Sequence, residues 1–121
     1  MQRNWDLIRK LLIKIEETEG YGNWITPHSI PENPHEQVAY HIGLLIEAGY
    51  ANGKKSSDFD LMRDFCATSL TWQGHEFLDK IRSDTVWKKT KATALEKGID
   101  LSVEVVSTIA SRVIERLLYG N

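Results

Sequence analysis

The order of secondary structure in this chain is indicated by two short stretches, Leu44-Leu45-Ile46-Glu47-Ala48-Gly49-Tyr50 and Leu70-Thr71-Trp72-Gln73-Gly74-His75-Glu76-Phe77-Leu78. The first is typical of a helix end, because Gly49 lacks a Cβ and can adopt the left-handed conformation that closes a helix. The second is typical of a helix start, since the Thr71 hydroxyl can accept a hydrogen bond from the first turn. The two stretches therefore predict two helices separated by a polar insert.

The polar insert has the composition of a β-hairpin with a long connection. Residues 50–53 can begin a strand, residues 53–58 form a hydrophilic loop, and residues 65–70 form the returning strand. Residues 59–64 fit either strand or loop. A helix, a hairpin and a further helix in this order are the outline of a winged helix, a fold that holds nucleic acid in some proteins and docks proteins in others.

The chain before the insert predicts an amphipathic helix over residues 4–19, with Asn4 as its N-cap and Gly20 as its stop. Its apolar residues recur at three- and four-residue steps, as expected for one buried face: Trp5, Ile8, Leu11, Leu12 and Ile15. A turn and a short strand are predicted to follow, with the strand beginning near Asn23. Pro27 and Pro31 then keep residues 26–32 out of helix.

The second helix is predicted to run from Pro34 to about Ala48, with Asn33 as its N-cap and Glu36 reaching back to the cap. Its predicted buried face consists of Val38, Ile42, Leu45 and Ile46. By helical position its outward residues are Glu36, Gln37, Tyr40, Gly43, Leu44 and Glu47.

Two more helices are predicted after the one that begins at Thr71. Ser83 or Asp84 caps a helix that closes at Gly98, and Ser102 caps a last helix with a broad apolar stripe. The expected fold class is mainly α with a small β-hairpin (α+β). Residues 1–83 form a winged-helix-like core, and residues 84–121 form a helical extension that packs on this core or in a dimer interface.

Charge and cysteine content restrict the class of protein. With 15 Lys plus Arg against 17 Asp plus Glu, the net charge is -2, so the basic surplus typical of dedicated nucleic-acid binders is missing. Local basic patches can still bind phosphate within such a total. The single cysteine, Cys66, suits a reducing compartment and is expected to be buried as a small apolar residue. Without a signal-like start or a membrane-length apolar run, the sequence predicts a soluble cytoplasmic protein.

The motifs resemble those of a bacterial and prophage family known only as a domain of unknown function with a winged-helix-like core. The resemblance covers nearly the whole chain and rests on Trp5-Asp6-Leu7-Ile8, Trp24-Ile25, Tyr40-His41-Ile42, Leu44-Leu45, Glu47-Ala48-Gly49-Tyr50, Leu70-Thr71-Trp72, Gly74-His75 and Asp84-Thr85-Val86-Trp87. It implies no catalytic residue.

The chain is also distantly similar to winged-helix regulators of the multiple-antibiotic-resistance and phenolic-acid-repressor type. Those regulators share a Leu-x-x-x-Gly turn before the wing and a Leu-Thr-x-x-Gly segment after it, which correspond here to residues 45–49 and 70–74. They carry a full helix where this chain has two prolines in residues 26–32. Standard major-groove docking, in which a first helix fixes the second, is therefore not expected.

Candidate DNA contacts are predicted on three elements. In the second helix Gln37 and Tyr40 could touch bases, although this helix carries carboxylates and lacks Lys and Arg. A basic wing could hold phosphate, and so could the basic helix after Ser83. The predicted set is Gln37, Tyr40, Lys54, Lys55, Arg63, Lys88 and Lys91. The alternative is that these are ordinary solvated polar residues.

The apolar stripe of the last helix is the candidate dimerisation surface, with Ile109, Val113, Ile114 and Leu117 as its residues. A metal site is not expected, because His35 and His41 are six residues apart and point in different directions on one helix. His41 and His75 are expected at the edge of the core. Neither a cofactor nor enzymatic activity is expected, since no nucleophile with its base, carboxylate pair or phosphate-binding glycine loop is found.

Two functions remain open. One is a DNA-binding or DNA-associated transcriptional regulator that contacts double-stranded DNA through the helix at residues 34–48 and the wing. The other is a protein-interaction module or dimerising adaptor, in which the winged helix is a scaffold and the last helix docks a partner protein or a second copy. The fold favours the first function, and the charge favours the second.

Overall fold

The fold is mainly helical with one small antiparallel hairpin, as predicted. The computed structural model describes residues 1–19, 24–55 and 65–120. Its elements in chain order are α1 (Trp5–Thr18), a 3₁₀ turn (Pro27–Ser29), α2 (His35–Glu47), β1 (Ala51–Lys55), β2 (Phe65–Leu70), α3 (Trp72–Ile81), α4 (Asp84–Glu96) and α5 (Val103–Tyr119). The chain divides into two compact units, Met1–His75 and Glu76–Asn121. The predicted boundary after residue 83 stays a prediction.

The first unit is built around α1, which packs against α2 and β2. Its buried side chains are Leu7, Ile8, Leu11, Leu12 and Ile15. Asn4 caps the helix, because its Oδ1 accepts the backbone N–H of Leu7 at 3.1 Å. The predicted stop at Gly20 and strand start at Asn23 lie outside the described residues. The connector at residues 26–32 contains only the 3₁₀ turn, so no full helix precedes α2 in residues 24–34.

The predicted N-cap of α2 is wrong by one residue. Pro34 is the N-cap and makes no side-chain capping bond, and its carbonyl accepts the Val38 N–H at 3.0 Å. The Asn33 side chain is used elsewhere, because it donates to Gln37 Oε1 at 3.3 Å and accepts from Lys10 Nζ at 3.1 Å. The Asn33 side-chain amide, which the local sequence predicts to cap α2, is therefore used in contacts with other side chains instead.

The hairpin pairs Ala51 with Leu70 and Lys55 with Phe65, with a register shift beside Asn52 and Gly53. Thr68 is the extra residue, and its hydroxyl donates to Asn52 O at 3.2 Å. The predicted loop from Gly53 to Asp58 is wrong at its start, because pairing with β2 keeps residues 53–55 in strand. On the other side of β2, Ile25 and Ala67 exchange two backbone hydrogen bonds of 2.9 Å.

A junction of four residues, Gly49, Tyr50, Thr71 and Gly74, joins α2, the hairpin and α3. Gly49 has a φ of +83°, and Thr71 donates its hydroxyl to Gly49 O at 2.6 Å and its N–H to Tyr50 O at 3.1 Å. The Gly74 N–H donates to the Thr71 hydroxyl at 3.0 Å, which confirms Thr71 as the cap of α3. A Cβ on Gly74 would lie 2.0 Å from Tyr50 O. The two glycine motifs therefore meet in one contact.

The second unit contains α4 and α5, which pack on each other. Ser83 caps α4, and Ser102 caps α5 by accepting the Val105 N–H at 3.1 Å, as predicted. The chain turns between them at Gly98, which has a φ of +66°. The residues of α5 that face the core are Val106, Ala110 and Val113. Among the described residues, no helix has the length and apolar character needed to cross a membrane.

Candidate nucleic-acid interface

The outward side of α2 is acidic and largely exposed, as the sequence predicts. Glu36, Tyr40 and Glu47 are exposed, whereas Gln37 is half-buried. The Gln37 Oε1 accepts from Asn33, and the Tyr40 ring meets the His41 ring edge to face at 5.5 Å. Both predicted base-reading residues therefore hold internal contacts as well as a solvent-facing surface.

The hairpin carries a cation beside an exposed aromatic ring. Lys54 Nζ lies 4.8 Å from the centroid of the Trp24 ring, and 46% of Trp24 is exposed. On the same strand Asn52 is exposed and donates to Ser69 Oγ at 3.0 Å. We call Trp24, Asn52, Lys54 and Ser69 the hairpin surface.

Lys55 and Arg63 are the other two predicted wing residues. Lys55 is the last residue of β1, and Arg63 lies outside the described residues. Trp24 was not predicted as a site residue, since its contact with Lys54 joins positions far apart in the chain. No local pattern signals this contact.

Cys66 lies next to Lys54 on the hairpin. Its Sγ is 3.6 Å from Lys54 O, and the side chain is buried. Burial raises the pKa of the Cys66 thiol, which keeps it protonated. The prediction of a buried cysteine is confirmed.

The basic residues of α4 belong to the second unit. Lys88 is exposed, and Lys91 is half-buried with its Nζ 5.4 Å from the centroid of the Trp87 ring. Trp87 is buried, so this cation covers the outer side of a core residue. Lys91 therefore has a packing role in addition to its charge.

His41 is fully buried, so its predicted place at the edge of the core is wrong. The Asn4 backbone N–H donates to Nε2 at 2.8 Å, which requires the proton to be on Nδ1, and Nδ1–H donates to Gln37 O at 2.7 Å. Burial lowers the pKa of His41. A sequence signal existed, because His41 falls on the same helical stripe as Val38 and Leu45.

His75 lies between the carboxylates of Glu16 in α1 and Glu19 at its C-cap and is half-buried, as predicted. Its Nδ1 is 3.5 Å from Glu16 Oε2, and its Nε2 is 3.4 Å from Glu19 Oε2. Glu19 also accepts the Leu70 N–H at 2.5 Å. These contacts tie α1 to the junction. In the described part of the chain, no group of three His, Cys, Asp or Glu side chains is arranged to hold a metal ion.

The second unit contains a groove of about 590 Å³ between α4 and α5, which we call the α4–α5 groove. Of the predicted dimerisation residues, Ile109 and Val113 line this groove, Leu117 lines a smaller adjoining recess, and Ile114 is half-buried. The last turn of α5 exposes more apolar surface than was predicted, since Leu118 and Tyr119 are 69% and 79% exposed. No sequence signal distinguished Leu118 and Tyr119 from the residues of α5 that face the core.

Comparison with known proteins identifies relatives by sequence. Residues 2–100 match the protein family described as "Hypothetical protein (DUF2513)". A protein of Haemophilus influenzae described as "Uncharacterized protein" is 41% identical over 118 residues, which cover 98% of this chain and 99% of that protein. No solved structure matches the chain.

Proposed function

This chain belongs to the DUF2513 family, and we propose that it binds double-stranded DNA through a winged-helix-like first unit, as a DNA-associated transcriptional regulator. The order α2, β1, β2 and α3 supports the winged-helix description, because it places a hairpin directly between two helices. The similarity of residues 45–49 and 70–74 to winged-helix regulators supports it further. The proposed role is binding, without a catalytic step.

The observation that carries the proposal is the pairing of Lys54 with Trp24. A cation held 4.8 Å over an exposed indole ring offers a phosphate contact and an apolar contact at one place. The cation–π contact also limits the freedom of the long Lys54 side chain, so that less conformational entropy is lost when phosphate binds. Asn52 and Ser69 add hydrogen-bonding groups on the same surface.

The acidic side of α2 shapes how DNA would be held. Glu36 and Glu47 repel phosphate, and the short 3₁₀ turn before α2 cannot replace a positioning helix. We therefore propose that the hairpin surface supplies the backbone contact and that α2 contributes at most Gln37 and Tyr40. Affinity through so few cations is modest, and each phosphate contact contributes about one to its salt slope.

The test is fluorescence anisotropy of a labelled random-sequence DNA duplex, titrated with protein at several salt concentrations. Wild-type protein is expected to bind at low salt, and Lys54→Glu is expected to weaken binding about tenfold and to lower the salt slope by about one. The matched control is Lys80→Glu, which makes the same charge change at a lysine of α3 that does not belong to the hairpin surface. Absence of binding at low salt and high protein concentration would overturn the proposal.

A second candidate function is protein interaction through α5. Its supporting observation is the apolar surface at the end of that helix, where Leu117, Leu118 and Tyr119 are all more than half exposed. In this function the hairpin surface is solvated and Lys54→Glu has no effect on any binding. The same DNA titration, together with a measurement of the molecular mass in solution, therefore distinguishes the two functions.

A further inference from the structure

We propose that the α4–α5 groove binds α5 of a second copy of this chain, in an antiparallel arrangement centred near Thr108 and Ile109. The inference rests on the second candidate function, protein interaction through α5, and names the partner and its register. It does not depend on DNA binding.

The groove lies along an antiparallel pair of helices. The linker of residues 97–102 between α4 and α5 is short. The recess that adjoins the groove is lined by Lys89 of α4 and by Leu117 near the end of α5, and the groove itself is lined by Ile99 of the linker and by Val105 near the start of α5. The start of α4 therefore lies beside the end of α5, as in an antiparallel helical hairpin. Along the outer side of such a pair runs a furrow that can accept a third helix.

The furrow exposes an apolar surface. Val105 and Ile109 are half-buried and line the groove from α5, and Ile99 lines it from the linker with 43% of its surface exposed. Beyond the groove, Leu95 is 82% exposed. An apolar surface that extends past a groove is typical of a protein contact.

The rim of the groove on α5 carries charges of both signs. Glu104, Thr108 and Arg112 follow one another at four-residue steps on the exposed side of α5, and all three line the groove. Within the described residues, neither Glu104 nor Arg112 forms an ion pair with another side chain. The stripe is acidic at one end and basic at the other, with a neutral residue at its centre.

This arrangement is complementary to itself under a two-fold axis. If two α5 helices run antiparallel about a point near residue 108, Glu104 of each copy lies opposite Arg112 of the other, because both residues are four positions from the centre. The same axis brings Val105 near Val113 and Ile109 near its own copy, each to within two residues of an exact match, a rise of about 3 Å. A parallel pairing would instead place like charges together.

The experiment measures the dimer dissociation constant by sedimentation equilibrium for four proteins: wild type, Glu104→Arg, Arg112→Glu and the double variant. Each single change replaces two symmetry-related ion pairs by two like-charge contacts, so each is expected to weaken the dimer about tenfold or more. The double variant restores opposite charges and is expected to return to within about threefold of wild type.

The control is Glu115→Arg, which reverses an exposed charge on α5 that does not line the groove, and it should leave the dimer unchanged. Thermal melting of each variant checks that the monomer stays folded. Thr108→Cys provides a second measurement, because two thiols near the axis should form a disulfide-linked dimer on mild oxidation, whereas Glu115→Cys should not.

The outcomes are distinguishable. Weakening by each single change with recovery in the double variant supports the proposal. A dimer that ignores both charge reversals overturns the register while leaving protein interaction through α5 as a function. A chain that stays monomeric at high concentration overturns the proposal, and α5 then has no self-interaction.

Discussion

The junction at Gly49, Tyr50, Thr71 and Gly74 and the outer side of α5 use their residues in opposite ways. In the junction every polar group named above has a partner within the fold, and a glycine is required because two backbone segments touch. On α5 the groove-lining charges lack ion-pair partners within the described chain, and apolar side chains at its end face solvent. The first region is completed by folding alone, whereas the second leaves charged and apolar side chains facing solvent.

This difference explains why the most recognisable motifs give little information about function. The two glycine motifs satisfy each other, so they mark the fold. The residues that would bind a partner, such as Arg112 or Lys54, belong to no motif. Matched substitutions in the two regions test whether they differ in this way.

The largest effect is expected on α5 itself, where Val113→Asp should be compared with Leu118→Asp. Val113 is 5% exposed, so an aspartate there buries an unpaired carboxylate and should lower the free energy of unfolding by about 4 kcal/mol. Leu118 is 69% exposed, and its change should cost less than about 0.5 kcal/mol. Urea denaturation followed by circular dichroism measures both. Equal losses would show that the end of α5 is not free.

The next effect tests the junction with two glycine-to-alanine changes. Gly74→Ala places a Cβ 2.0 Å from Tyr50 O, so the backbone must move and the cost should be about 3 kcal/mol. Gly49→Ala has open space around its Cβ. Only its φ of +83° is unfavourable for alanine, which should cost about 1 kcal/mol. Urea denaturation again gives both values. A Gly74→Ala variant as stable as Gly49→Ala would mean that the close contact is absent in solution.

A third prediction concerns pH and His41. Because the folded pKa of His41 is lowered, the unfolded chain binds the proton more tightly, so stability is complete above the unfolded value of about 6.5 and falls as pH falls below it. His41→Phe should cost about 2 kcal/mol at pH 7.5, because the part-buried Asn4 N–H loses its acceptor and the Gln37 carbonyl loses one of its donors, and it should flatten this part of the pH profile. His28→Gln, a change at an exposed histidine, should retain the profile.

The smallest effect is expected at Lys10, which contacts Glu32 at 3.2 Å. The backbone N–H of Glu32 and then Lys10 lower the pKa of the Glu32 carboxyl, but both side chains are exposed. Lys10→Gln should therefore shift the melting temperature by less than about 2 °C, with no change at high salt. A larger shift would show that the stability of the connector before α2 depends on its internal contacts as much as that of the junction does.

Sequence reasoning succeeded where the determining contacts are local. Asn4, Thr71, Ser83 and Ser102 act as caps because each bonds a backbone N–H within three residues. It failed where contacts between residues far apart in the sequence determine the local structure. The Asn33 amide is taken by Lys10, and the strand pairing of Lys54 depends on a bulge in the other strand.

The candidate sites follow the same rule. Lys54 and the apolar stripe of α5 could be predicted because charge and periodicity are visible in the sequence. The position of Trp24 under Lys54 and the groove beside Arg112 could not, since each depends on how separate elements pack. The fold class was therefore predictable from the sequence, whereas the arrangement of the candidate sites required the packing.

The bridge between Ile25 and Ala67 has a consequence for aggregation. A two-stranded ribbon has outer edges whose unpaired backbone groups can recruit a strand from another molecule and seed fibrils. At Ala67 both the N–H and the carbonyl are already bonded to Ile25. A single residue from a distant connector thus blocks strand addition at this point of β2, without the charged gatekeeper residues that an open edge usually needs.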